Sequence, residues 1–295
     1  MQTRVKTPDR FAGNSVRPDG QGSLFSVLGV GLTALLAVLL LIFVIAIFYP
    51  PHHAFRGLAA YLPLHTAMET FAIVVSMLVF TVGWNAHSEE RAGNIVLLSC
   101  AFLAVGLLDF AHVLSYPGMA DFVTPSGPEK AINFWLAARG VAALALLAAA
   151  VLPCRPFAAR GTRYWLLAAS VGVTALAYWA CLFHQDELPA TFIAGQGLTR
   201  FKIGAEYALI ALYGVAAAVF FARLRVQRVD HLRQLFVASC VIALSELFFT
   251  LYGDVTDSYN LLGHVYKVIA FFLIYQALFG YSLEEPYQQL QLSRQ

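Results

Sequence analysis

The chain has 295 residues, of which 59% are hydrophobic and only 12% are charged, and its mean hydropathy is +0.69. A soluble domain is typically about 25% charged, so this composition excludes a protein whose whole surface faces water. The net charge of +2 is weak, and we expect no nucleic-acid partner. Four single cysteines form no CxxC or CxxCH motif, which argues against a thiolate zinc site and against covalently attached haem.

Eight apolar segments follow a polar tail at residues 1–22, which we predict to be disordered and cytoplasmic. About 20 apolar residues cross a hydrocarbon core of about 30 Å. The segments lie near 24–48, 60–83, 93–115, 131–152, 163–183, 202–222, 234–252 and 261–282. The first is too long for a signal peptide and should remain as an anchor. We therefore predict an all-α membrane bundle at 23–283, with 284–295 beginning a cytoplasmic linker.

The distribution of Lys and Arg predicts the orientation of these spans. Thirteen of the 19 lie in the N-terminal tail, in the even-numbered loops or after span eight, whereas four lie on the opposite side and two lie inside spans. Because positive charge accumulates in cytoplasmic loops, both termini should be cytoplasmic.

Nine ionisable residues occur inside the predicted spans, and in this orientation all of them fall in the outer leaflet. They are His65 and Glu69 on span two, Asp109 and His112 on span three, Arg139 on span four, Glu206 on span six, Glu246 on span seven, and His264 and Lys267 on span eight. A charge in hydrocarbon costs several kcal/mol, so such residues usually face a bundle interior and often mark a functional site. Nine of them at one depth on six helices predict such a site.

Three interpretations of this site remain open. Imidazole and carboxylate groups suit a metal ion such as zinc, and His65, His112 and His264 with Glu69 or Asp109 offer enough ligands. Two histidines could instead hold a haem, or the residues could form only an ion-pair network around Arg139 and Lys267. Tyr252, Tyr259, Tyr266 and Trp135 could belong to an interfacial aromatic belt or line a ligand pocket.

Several segments of the chain resemble a known family. These are HTAMETF, GLLDFAHVLSYPGM, FWLAARG and LLGHVYKVIAFFLIYQALF, followed by EEPYQQL. Together they resemble the membrane-associated sensor family of bacterial signalling proteins, third subtype, from about residue 25 to the C-terminus. The matching positions are His65, Glu69, Asp109, His112, Tyr116, Pro117, Gly118, Arg139, His264, Tyr266 and Lys267.

The resemblance implies an input module in the bacterial inner membrane that controls a cytoplasmic histidine kinase or diguanylate cyclase and is not itself an enzyme. Tyr116 and Tyr266 would then support the pocket. The sequence ends at Gln295, so we expect either an excised sensor or one that acts through a separate partner. Membrane lipids are expected partners, and a homodimer remains open. The main alternative is an intramembrane zinc hydrolase, and a transporter is a weaker one.

The predicted orientation can be tested with topology reporters fused after Gln295, within 84–92 and near Gly127. The first two fusions should report the cytoplasm and the third the opposite side, because of the uneven distribution of Lys and Arg. An external signal after Gln295 would contradict both the eight-span arrangement and the shared depth of the nine polar residues.

Overall fold

The computed structural model describes residues 27–49, 58–86, 92–153, 155–157, 159 and 161–284. Eight long helices lie within these ranges, and all are long and apolar enough to cross a membrane. They are α1 (Val30–Phe48), α2 (Leu58–Asn85), α3 (Gly93–Leu114), α4 (Pro128–Val151), α5 (Thr162–Phe183), α6 (Arg200–Val226), α7 (Asp230–Phe248) and α8 (Ser258–Phe279). The predicted all-α, multi-pass membrane fold is confirmed. The predicted tail at 1–22 and residues 285–295 lie outside the described residues.

The helix ends differ from the predicted spans where polar residues continue a helix. Helix α7 begins at Asp230, four residues before the predicted span, and Asp230 there pairs with Arg233 at 2.6 Å. It ends at Phe248, so Tyr252 lies in the following loop. A search for apolar segments misses a first helical turn that carries charged residues, which explains why the helix begins earlier than predicted. Three short elements were not predicted: a 3-10 turn at Gln185–Glu187, a hairpin pairing Phe192–Ile193 with Gly197–Leu198, and a π-helical turn at Gly280–Glu284.

Six of the helices form a closed ring. Helices α2, α3, α4, α6, α7 and α8 pack successively against one another, and α8 returns to contact α2. Helix α1 packs outside the ring on α7, and α5 packs outside it on α3 and α4. In the most apolar stretch of α1 and of α5, only 17% of the residues are buried, whereas 33–72% are buried in the corresponding stretches of the ring helices. Side chains such as Trp165 on α5, which is 80% exposed, therefore face the lipid.

Hydrogen bonds of polar side chains connect α1 to the ring and connect α4 to α6 within the ring. The hydroxyls of Tyr259 and Tyr266 on α8 donate to the carbonyls of Ala46 and Leu39 on α1, at 3.0 and 2.6 Å. At the other end of the bundle, Arg223 of α6 donates to the last carbonyl groups of α4. These carbonyls have no partner within their own helix, so a cation there is favourable.

Glycine allows α2 and α3 to approach closely. A Cβ atom at Gly83 would overlap the side chain of Ser99 on α3, whereas one at Gly172 of α5 would meet no atom within 4 Å. Ser99 is buried and its hydroxyl donates to the carbonyl of Ile95 at 2.8 Å. The side chain at this contact is short, so it cannot move aside.

We expect Gly83→Ala to destabilise the bundle by about 1–3 kcal/mol through overpacking. Thermal unfolding of the purified protein in detergent would measure the loss. Gly172→Ala is the matched control and should leave stability unchanged or slightly higher. Adding Ser99→Gly to Gly83→Ala should restore part of the loss, and a failure to do so would contradict the proposed close contact.

Candidate functional site

Seven of the nine polar residues meet in one network at the end of the bundle that carries the loops 115–127 and 249–257. They come from α2, α3, α4 and α8, and none of their side chains is more than 4% exposed. The seven are His65, Glu69, Asp109, His112, Arg139, His264 and Lys267. Their early or late positions in successive antiparallel helices place them at the same depth, as the sequence predicted.

Two cations organise the carboxylates of this network. The Lys267 ammonium lies 2.6 and 2.8 Å from the two oxygens of Glu69 and 3.1 Å from Oδ2 of Asp109. Nη2 of Arg139 donates to both oxygens of Asp109 at 2.8 Å. Removing one partner of a buried pair leaves an uncompensated charge, which is strongly destabilising. Lys267 therefore joins α8 to both α2 and α3.

Three histidines and one carboxylate form a compact group, which we call the histidine–carboxylate cluster: His65, Glu69, His112 and His264. One nitrogen or oxygen atom from each lies within 4.8 Å of all the others. Nδ1 of His112 lies 2.8 Å from the carbonyl oxygen of Ala131. Because a carbonyl can only accept, Nδ1 carries a proton, and in the neutral imidazole Nε2 then presents a lone pair. This Nε2 lies 3.4 Å from Nε2 of His65.

The other two imidazoles of the cluster have incomplete hydrogen bonding. Nδ1 of His264 lies 2.7 Å from Oε1 of Glu69, but the two atoms are not aligned as donor and acceptor. Nδ1 of His65 has no hydrogen-bond partner among the described residues. Buried polar atoms are normally satisfied, so the cluster retains capacity to bind something further. The carboxylate of the cluster is Glu69. Asp109 is not a member, because its carboxylate pairs with Arg139.

Aromatic rings enclose this network. The ring of Trp135 lies 4.6 Å from the Lys267 ammonium and 4.7 Å from the guanidinium carbon of Arg139, distances at which cation–π attraction operates. Its ring centroid lies 5.2 Å from that of His264, and Phe249 lies 5.1 Å from the same imidazole. A Cβ atom at Gly263 would come within 2.5 Å of the Phe249 ring, so glycine is required there.

A cavity of about 20 Å³ borders the cluster, which is room for about one water molecule. It joins His112 and His264 to loop residues at the end of the bundle. The cavity lining includes Tyr116, Trp135, Tyr252, Val255 and Asn260. Trp135 and Tyr252 therefore line the pocket and do not belong to an interfacial belt.

Two tyrosines, Tyr116 and Tyr252, line this pocket. Both lie outside the helices, and burial raises the pKa of each, so both stay protonated near neutral pH. The Tyr116 hydroxyl donates to the carbonyl of Val255 at 2.7 Å, and the Asn260 amide donates to the same carbonyl at 2.6 Å. These bonds anchor the 249–257 loop over the cavity.

Three predicted site residues, Glu206, Glu246 and Tyr266, join neither the seven-residue network nor the pocket. Oε1 of Glu206 pairs with Lys202 at 2.9 Å, and Glu246 lies close enough to Glu206 and Arg139 for their charges to interact. Tyr266 faces α1, where it donates to the carbonyl of Leu39 and does not line the pocket. The rotation of α8 about its axis, which the sequence does not specify, determines this last placement.

Two of the four Lys and Arg residues that the charge distribution assigns to the outer side, Lys130 and Lys202, are buried. Lys202 is 1% exposed, and its ammonium also donates to the carbonyl of Phe249 at 2.6 Å. Lys130 is 1% exposed and donates to the carbonyls of Phe122 and Thr124. Lys202 and Glu206 are four residues apart and therefore share one helix face. This spacing could have identified Lys202 as a buried partner of Glu206.

We expect Arg139→Met to destabilise the protein by about 3–5 kcal/mol, because it removes the main partner of buried Asp109. Adding Asp109→Asn should recover part of this loss. Adding Glu206→Gln should not, since Glu206 has its own partner in Lys202. Thermal unfolding in detergent would compare the variants, and strictly additive losses for Arg139 and Asp109 would contradict the pair.

Comparison with known proteins places this geometry in a family. No curated protein matches the chain. The family profile MASE3, described as a membrane-associated sensor domain, matches residues 56–286. This range contains the whole histidine–carboxylate cluster and all six helices of the ring. The chain therefore belongs to the membrane-associated sensor domain family, and it is a multi-pass membrane protein with a sensory input role in signal transduction.

Proposed function

We propose that the bundle detects a ligand, ion or redox cue at the histidine–carboxylate cluster and passes the signal through α8 to a cytoplasmic output module. One observation carries this proposal: α8 contributes His264 and Lys267 near one end and continues to the opposite end of the bundle. Its 22 residues form a rod of about 33 Å. A rotation or tilt imposed at the cluster is therefore transmitted along the helix.

Glu69 supplies the mechanical link between α2 and α8. Its carboxylate contacts both Lys267 and His264 of α8, at 2.6 and 2.7 Å. A ligand that binds to Glu69 or to His264 must alter these contacts. It shifts the bundle between two arrangements only to the extent that it binds one of them more tightly. The two arrangements would differ in the position of α8 against α2 and α3.

The predicted orientation and the family resemblance support a cytoplasmic partner. The Lys/Arg distribution puts the end of α8 on the cytoplasmic side. Family membership favours an output of the histidine kinase or diguanylate cyclase type, either fused or separate. The lipid-facing surfaces of α1 and α5 provide the expected contact with the membrane.

The geometry favours an input domain over the alternative functions. A hydrolase needs room for its substrate beside the metal, and a haem needs a slot for its macrocycle, but the cavity at the cluster holds only about one water. A transporter needs a pathway that continues across the bundle. Beyond Arg139, the interior is instead filled by Phe271, at 4.9 Å, and by Phe102, which packs on Phe271 at 5.2 Å.

The proposal can be tested by fusing a diguanylate cyclase to the C-terminus and measuring cyclase activity in membranes. His264→Ala and Lys267→Ala should lock the activity per inserted molecule high or low. Lys267→Ala should also lower the amount of inserted protein, because it leaves Glu69 without its cation. Tyr259→Phe is the matched control, because it lies on the same helix and loses only a hydrogen bond to α1. Unchanged activity per molecule in both cluster variants would contradict the proposal.

A further inference from the structure

We infer that the cue is a divalent transition-metal ion, bound by imidazole nitrogens of His65, His112 and His264 and by the carboxylate of Glu69, in competition with the Lys267 ammonium. This inference rests on the proposed sensory function and names its ligand. Three imidazoles with one carboxylate suit zinc and its neighbours in the first transition series. The cluster is fully buried and is built from three helices.

The spacing of the ligand atoms fits a four-coordinate metal. Metal–nitrogen bonds of about 2.0–2.1 Å put neighbouring ligand atoms of a tetrahedral site about 3.3 Å apart. The two Nε2 atoms of His65 and His112 are 3.4 Å apart, which already matches. All four ligand atoms lie within 4.8 Å of one another. Small side-chain rotations would therefore suffice to bring the four ligand atoms around one ion.

The hydrogen bonds of the histidines also fit coordination. A metal-binding histidine usually donates its other N–H to a carbonyl or carboxylate, and His112 donates its Nδ1–H to Ala131 in this way. Nδ1 of His264 and Oε1 of Glu69 lie side by side at 2.7 Å without donor–acceptor alignment. Coordination of both atoms by one ion would widen this separation to about 3.3 Å. His65 makes no hydrogen bond through Nδ1 among the described residues, and its ring is held with Nε2 toward His112 by the stacked ring of Tyr116 at 3.9 Å.

Lys267 couples the metal to the signalling helix. Its ammonium lies 2.6 and 2.8 Å from the oxygens of Glu69 that the metal would use. A dication at the cluster repels this ammonium and replaces it as the counter-charge of Glu69. Lys267 retains Asp109, at 3.1 Å, as a second partner. Metal binding would therefore shift the Lys267 ammonium from Glu69 toward Asp109, which changes how α8 packs against α2 and α3.

The cavity reaches the cluster from the loop end of the bundle. It connects His112 and His264 with Tyr252 and Val255 of the loop at the end of the bundle. Its volume of about 20 Å³ admits about one water molecule, or an ion that has shed most of its hydration shell. The site thus suits an ion better than an organic ligand.

The test uses the full chain, purified in detergent and stripped with a chelator, then titrated with Co²⁺ and followed by visible absorption. We expect one Co²⁺ per chain with the intense d–d bands of a four-coordinate site, displaced by one equivalent of Zn²⁺. His65→Ala, His112→Ala and His264→Ala should each weaken binding by at least about 100-fold, since even outer-shell changes cost 10–100-fold. His184→Ala, at a partly exposed loop histidine that pairs with Glu187, is the control and should bind normally.

Lys267→Met gives the decisive comparison, because removing the competing charge should tighten Co²⁺ binding by at least about tenfold. A misfolded variant could not produce this gain. The inference is overturned if neither the original chain nor Lys267→Met binds Co²⁺ stoichiometrically, or if the three histidine variants bind as tightly as the control. If metal does not bind but His264→Ala still locks the fused cyclase, only the metal inference fails. If metal binds as expected but cyclase activity ignores both the metal and His264→Ala, the site stands and the proposed signalling role fails.

Discussion

The interaction on which the rest of the structure depends is the buried contact of Lys267 with Glu69 and Asp109. Ionised groups in hydrocarbon cost several kcal/mol unless they are paired, so these three side chains must meet. They lie on α8, α2 and α3, and Arg139 extends the requirement to α4 through Asp109. The ring therefore closes between α8 and α2, because separating these helices would leave the buried Glu69 carboxylate without its cation.

The same contact makes the bundle suited to respond to a cue. An ammonium shared by two carboxylates has two arrangements that differ mainly in which acid it approaches. Lys267 lies closer to Glu69, at 2.6 Å, than to Asp109, at 3.1 Å. Trp135 covers both Lys267 and Arg139 with its ring and so excludes water from the pair. Electrostatic changes at Glu69 are therefore weakly screened when they reach α8.

Much of this architecture could be predicted from the sequence because hydropathy and charge act locally. The six spans that carry the nine polar residues are the six helices of the ring, and the two spans without them, α1 and α5, lie outside it. A polar side chain inside a span must face protein, so its presence marks an interior helix. Helix ends were less predictable, as at Asp230, since a polar first turn looks like a loop in a hydropathy window.

The sequence by itself determined the eight spans, the shared depth of the polar residues and the pairs on one helix face, such as His65 with Glu69. Only the tertiary structure decided that Glu69 joins the histidines while Asp109 binds Arg139, and that Tyr266 turns to α1. The reason is physical: spacing along one helix fixes which residues share a face. The partner that this face meets depends on how neighbouring helices rotate and pack, which no single segment of sequence encodes.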